Sequence, residues 1–127
     1  MIFGIGTDLV CIDRIKRAIE KNERFPEKIF TAQEISYCSQ KANPYQSYAG
    51  RFAAKEAVMK ALGTGWNGKI SWQDIEVVVD QYGKPILRVH NATKLFMTEC
   101  NIRYSHLSIS HDSNFACAFV VLERIDA

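Results

Sequence analysis

Long apolar runs are missing from this chain. Nothing in it approaches the roughly 20 consecutive apolar residues that a membrane-crossing helix needs. The start, Met1-Ile2-Phe3-Gly4-Ile5-Gly6, also lacks the basic segment and long apolar core of a signal peptide, so a cytoplasmic location is expected. Cysteine is sparse. Cys11, Cys38, Cys100 and Cys117 show no C-x-x-C spacing, and His90, His106 and His111 complete no zinc signature, so the thiols read as reduced packing residues. Charge of one sign is lacking as well. A net charge of +2 is too small to imply nucleic-acid binding. Repeats, low-complexity tracts and Pro/Ser-rich linkers are absent, so residues 1–127 read as one domain, long enough to fold without disulfides or metal.

The elements follow from pattern. Met1 to Ile5 suits a short strand. Ile12, Ile15 and Ile19 fall at helical spacing and predict a first helix from about Cys11 to Lys21. Thr31-Ala32-Gln33-Glu34 is a capping box that opens a second helix. Asn43-Pro44 opens a third, running to Leu62 and ending at Gly63 and Gly65. Ile75 to Val79 reads as a strand, Tyr82-Gly83-Lys84-Pro85 as a turn, and Pro85 to Val89 as the hairpin partner. Asn91 caps a short helix to about Cys100. Leu107 to Ser110 alternates like a half-buried strand, and Phe115 to Leu122 is a nearly all-apolar strand suited to a sheet centre or a subunit interface. Helices first and antiparallel strands later predict an α+β fold, a long central helix packed on an antiparallel sheet.

The long helix carries the first chemical signal. Its apolar stripe, Tyr45, Tyr48, Ala49, Phe52, Ala53 and Ala57, continues through positions 56 and 60, which are Glu56 and Lys60. They are either an i,i+4 pair at the edge of the stripe or the lining of a polar cleft. Asp8 supplies a second carboxylate, in Gly4-Ile5-Gly6-Thr7-Asp8. A dinucleotide fingerprint would need glycine at 9, where Leu9 stands. Asp8 alone could cap a turn. With Glu56 it makes two hard oxygen ligands, leaving other positions to water and phosphate, as Mg²⁺ is usually held. Arg51, Lys55 and Lys60 on the same helix make a nearby phosphate plausible. Gly63-Thr64-Gly65 comes after that helix, at its negative end, so an anion there needs side chains and loop N–H groups.

Four segments together carry a resemblance: Gly4-Ile5-Gly6-Thr7-Asp8, Arg51-Phe52-Ala53-Ala54-Lys55-Glu56-Ala57, Lys60-Ala61-Leu62-Gly63-Thr64-Gly65 and Ser108-Ile109-Ser110-His111. In this order and spacing the chain resembles the holo-acyl-carrier-protein synthases, the small bacterial-type 4'-phosphopantetheinyl transferases. The resemblance implies a Mg²⁺-dependent transfer of the phosphopantetheine arm of coenzyme A to a serine of an acyl carrier protein. It implies metal ligation by Asp8 and Glu56, with Lys60 near the reacting diphosphate. Arg51, Lys55, Gly63, Thr64, Gly65, Ser110 and His111 match positions at the bound coenzyme A. Arg14, Lys21, Arg24, Phe25 and Lys28 match a carrier-protein docking surface. The resemblance also implies homotrimers with each active site between two subunits. Two departures stand out. Ser113-Asn114 replaces a frequent glycine in the turn after His111, and Lys21 and Lys28 keep the charge of arginine without its bidentate geometry.

The expected reaction is attack of the serine hydroxyl on the β-phosphorus, with adenosine 3',5'-bisphosphate leaving. The general base stays open between Glu56, a metal-held water and Asp8. Two other readings compete. A non-catalytic coenzyme A module would need the basic residues but not Asp8 or Glu56. A scaffold binding an acidic partner would use the stretch from Arg14 to Lys28, where 6 basic residues outnumber 3 acidic ones.

Overall fold

Strand β1 (Ile2–Cys11) leads into helix α1 (Ile12–Lys21). Three helices follow: α2 (Phe25–Ile29), α3 (Ala32–Ser39) and the long α4 (Pro44–Leu62). After a 3₁₀ turn at Trp72–Asp74 come strands β2 (Ile75–Val79) and β3 (Pro85–Val89), helix α5 (Asn91–Glu99), and strands β4 (Ile102–His111) and β5 (Phe115–Arg124). The computed structural model describes residues 1–63 and 70–126. It is the expected α+β arrangement. One antiparallel sheet has the order β1-β5-β4, and β2 and β3 form a separate hairpin.

Helix α4 lies on the three-stranded sheet, and small residues bring the two together. A Cβ on Gly4 would sit 1.9 Å from the Ala61 carbonyl oxygen, and one on Gly6 would sit 1.8 Å from that of Ala57. Any side chain there would push the helix off the strand. Across the interface, Ala53, Ala57, Ala116 and Ala118 are fully buried. Gly4, Gly6 and Asp8 share one face of β1 because strand side chains alternate. The glycines therefore seat the helix, and Asp8 is the next residue on that face.

Several boundaries differ from the sequence reading. β1 continues to Cys11, so Asp8 lies within the strand and not after it. Residues 7–11 gain their partners from β5, with Asp8 opposite Ala118. β4 likewise begins at Ile102, five residues before the predicted strand. Helix α2 was not anticipated. The Gln73 side chain, distant in sequence, donates to the carbonyls of Glu27 and Phe30 beside it. The cap of α5 is His90, with Asn91 its first residue. The capping box at Thr31 forms as read: Glu34 N–H donates to Thr31 Oγ1 (3.2 Å) and Thr31 N–H to Glu34 Oε1 (2.9 Å). Gly63 closes α4 in the left-handed conformation, φ +78°.

The largest difference concerns the face of α4. From Tyr48 to Leu62 every residue is buried except Phe52, Glu56 and Lys60. The helix is packed nearly all round, as a core helix is. The positions read as polar intrusions on an apolar stripe are its one open seam.

Candidate active site

The open seam of α4 faces β1 and α1 across a cleft of about 370 Å³ lined by Asp8, Arg14, Ile15, Phe25, Phe52 and Glu56, among others. Two carboxylates thus share one cleft. Lys60 Nζ donates to Asp8 Oδ1 (2.9 Å) and to the Thr7 carbonyl (3.0 Å). The Asp8 side chain is only 15% exposed and that of Lys60 is 53% exposed. Burial pushes the Glu56 carboxyl above the usual range; the charge of Asp8 adds to this and Lys60 opposes it. Pairs of hard oxygen donors in such a setting favour Mg²⁺ or Ca²⁺. Among the described residues no cluster of three or more His, Cys, Asp or Glu side chains forms.

The opposite side of the helix holds Lys55 differently. Lys55 is fully buried, with Nζ donating to Glu34 Oε1 (2.8 Å), to the Trp72 carbonyl (3.1 Å) and to the Ile75 carbonyl. Its three donors are spent. Lys55 was read as a coenzyme A contact; here it has no donor and no exposed atom left for a ligand, and its work is to tie α4 to α3 and β2. Glu34 completes the network by accepting the Val77 N–H at Oε2 (2.9 Å). Burial lowers the Lys55 pKa, and the charge of Glu34 works against that shift.

Arg51 lies on this side too. It is 7% exposed, its guanidinium sits 4.2 Å from the centre of the Tyr37 ring, and its Nε has no hydrogen-bond partner among the described residues. It borders a second, smaller cavity with Gln33, Tyr37 and Val77 to Val79. Ser110 and His111 end β4, exposed, at the sheet edge opposite β1. One protomer therefore brings Asp8, Glu56 and Lys60 together with Arg14 and Phe25. It places Arg51, Ser110 and His111 outside that cleft. Lys21, Arg24 and Lys28 are exposed on or beside α1 and α2. Thr64 and Gly65 lie outside the described residues. Ser113-Asn114 makes a sound turn without glycine, because Asp112 Oδ1 accepts the N–H groups of Asn114 and Phe115, each at 2.7 Å. The sequence reading missed Ile15 and Phe52 as cleft walls. Phe52 stands one turn before Glu56, and the i−4 spacing was the available signal.

The fold is that of the phosphopantetheine-transferase class, and comparison with known proteins places the chain within it. The chain belongs to the 4'-phosphopantetheinyl transferase superfamily, whose profile matches residues 4–120. It is 48% identical over 126 residues to the holo-[acyl-carrier-protein] synthase of Geobacter metallireducens, covering 98% of this chain and 100% of that protein. Among solved structures it resembles the holo-[acyl-carrier-protein] synthase of Neisseria meningitidis, with a TM-score of 0.91, 39% identity, and 98% and 100% of the two chains covered. The Bacillus anthracis enzyme, solved in complex with CoA (3',5'-ADP), aligns with a TM-score of 0.82 at 41% identity over 98% and 99% of the two chains.

Proposed function

We propose that this protein transfers the 4'-phosphopantetheine moiety of coenzyme A to a serine of an apo acyl carrier protein, the activation step that supplies fatty acid biosynthesis with holo carrier protein. The observation that carries the reading is the cleft where β1 presents Asp8 to Glu56 and Lys60 of α4. A coenzyme A-binding module without chemistry has no use for two carboxylates there, and a scaffold has no use for the cleft.

Asp8 and Glu56 are the residues that would hold Mg²⁺, and their chemistry as two hard, partly buried oxygen donors fits that ion. Bound there, Mg²⁺ would neutralise charge on the diphosphate. Lys60 stabilises negative charge on the leaving side, because its ammonium is bonded to Asp8 at the cleft wall and, among the described residues, only two of its three donors are engaged. The serine proton would pass to a carboxylate of this cleft, Glu56 or Asp8, or to a water held by them. Phe52 and Ile15 give the cleft apolar walls that limit water. Arg51 has a buried Nε, without a partner among the described residues, beside a cavity, which supports a role at the phosphates of coenzyme A.

Arg51 and His111 serve the same coenzyme A only if a second copy brings them to the cleft. The sheet face turned away from α4 supports this. Ile5, Leu9 and Phe119 there are 63%, 66% and 55% exposed, an apolar patch unusual on a monomer. We therefore read the protein as a homotrimer with sites between subunits. Arg14, Lys21, Arg24 and Lys28, with Phe25, form the surface for an acidic carrier protein. The four free cysteines fit a cytoplasmic location.

Intact-mass spectrometry of an apo carrier protein incubated with this chain, Mg²⁺ and coenzyme A tests the reaction. A mass gain of one phosphopantetheine group, lost on chelation, is expected. An unchanged mass with all components present contradicts it. Sedimentation equilibrium checks the assembly: a three-chain species is expected, and a monomer at micromolar concentration would contradict it.

A further inference from the structure

We propose that Lys60 is a built-in counter-cation for Asp8, which it must release when a divalent cation binds, and that it couples cation binding to coenzyme A binding. The inference rests on the reading of Asp8 and Glu56 as metal ligands and adds the competitor for one of them. Asp8 Oδ1 already has a cationic partner, Lys60 Nζ at 2.9 Å. A cation ligated by Asp8 meets an ammonium group at contact distance, and two positive charges that close repel. Lys60 must therefore either leave Asp8 or weaken the cation's hold.

The geometry gives Lys60 a way to leave. Its ammonium carries three donors, and among the described residues two are engaged, by Asp8 Oδ1 and the Thr7 carbonyl. The bond to Thr7 keeps the group beside β1, next to Asp8. The four-carbon stem is long and flexible, and the side chain is half exposed, so the head can turn without unpacking the core. A phosphate oxygen entering the cleft offers a charge-assisted bond in place of the one to Asp8. Lys60 then moves from carboxylate to phosphate, and Asp8 is freed as the diphosphate arrives. Lys55, five residues earlier, cannot make this exchange, because its donors are saturated and fully buried. Since coupling is reciprocal, the cation must favour coenzyme A as much as coenzyme A favours the cation.

The test is Mn²⁺ binding, read from the free-ion paramagnetic resonance signal, without carrier protein so that no turnover occurs. The proteins are wild type, Lys60→Gln, Arg14→Gln and Asp8→Asn, each with and without coenzyme A. Without coenzyme A, Lys60→Gln is expected to bind Mn²⁺ roughly fivefold more tightly than wild type, the scale of a partly exposed ion pair. Coenzyme A should tighten Mn²⁺ binding by a larger factor in wild type than in Lys60→Gln. Arg14→Gln removes the same charge from the same cleft without touching the Asp8 pair, and should change Mn²⁺ affinity less than about twofold. An unchanged or weaker affinity in Lys60→Gln overturns the proposal, as does an Arg14→Gln effect equal to it, which would leave only general charge. Asp8→Asn separates the layers. If it abolishes binding while Lys60→Gln has no effect, the exchange fails and the metal reading stands. If Asp8→Asn binds like wild type, both fall.

Discussion

Lys55 and Lys60 stand on the same helix, five residues apart, and each is bonded to one carboxylate. Lys55 and Glu34 are both 0% exposed, whereas Lys60 and Asp8 are 53% and 15% exposed. Burial decides what each pair does. The inner pair satisfies every donor on Lys55 with fixed acceptors, so it cannot respond to a ligand. It is held in a register that ties α4 to α3, the 3₁₀ turn and β2. The outer pair engages two of the three Lys60 donors among the described residues and leaves a flexible stem in solvent. The closed side of α4 is therefore structural, and the open side, the seam of Phe52, Glu56 and Lys60, is the one proposed above for the chemistry.

The sharpest way to break the comparison is to damage the inner pair. Lys55→Met leaves Glu34 buried without its cation and should cost about 3–5 kcal/mol of folding stability. Urea denaturation measures this, and a loss near that of an exposed lysine would contradict the structural assignment.

The next effect is on pH dependence. Glu56 must be ionised to act as ligand or base, and burial holds its pKa up. In the metal-free protein Glu56 should therefore titrate above the range of an ordinary exposed carboxylate. Because Lys60 pulls the Glu56 pKa down, Lys60→Gln should move that titration further up. NMR titration of the Glu56 carboxyl carbon without Mg²⁺ reads both, and a midpoint that stays in place in the variant contradicts the coupling.

The smallest effect is expected at the rim. Arg14→Ala should raise the KM for the carrier protein by up to roughly fivefold at low salt and less as salt rises, while the KM for coenzyme A stays nearly unchanged. A carrier-protein KM that ignores both salt and the substitution would leave Arg14 an ordinary solvated side chain.

What the sequence made legible was local or modular. The capping box at Thr31, the span of α4 and its glycine stop, and the β2–β3 hairpin all follow from neighbours in the chain. Asp8, Glu56 and Lys60 were legible as a group because glycines at 4 and 6 and carboxylates off pattern are odd without a close approach. What was not legible came from distant partners. β1 runs on to Cys11 because β5 pairs with it, and α2 is supported by Gln73 from beyond α4. Lys55 looked like a ligand contact because its partners, Glu34 and the carbonyls of Trp72 and Ile75, gather only in the fold. The apolar stripe of α4 was misjudged for the same reason. A helix buried almost all round has no single stripe, so the exposed seam looked like an intrusion.

The most direct test of the chemical side is Glu56→Gln, followed in one preparation by the rate of carrier-protein mass gain and by thermal unfolding. Gln keeps the shape of the side chain and removes the charge. The account predicts a loss of turnover of about a hundredfold or more, the scale for losing a group that acts in the transition state, with a melting temperature close to that of wild type. A variant that keeps near wild-type turnover at limiting Mg²⁺ would contradict the assignment of Glu56 to the metal and the reaction.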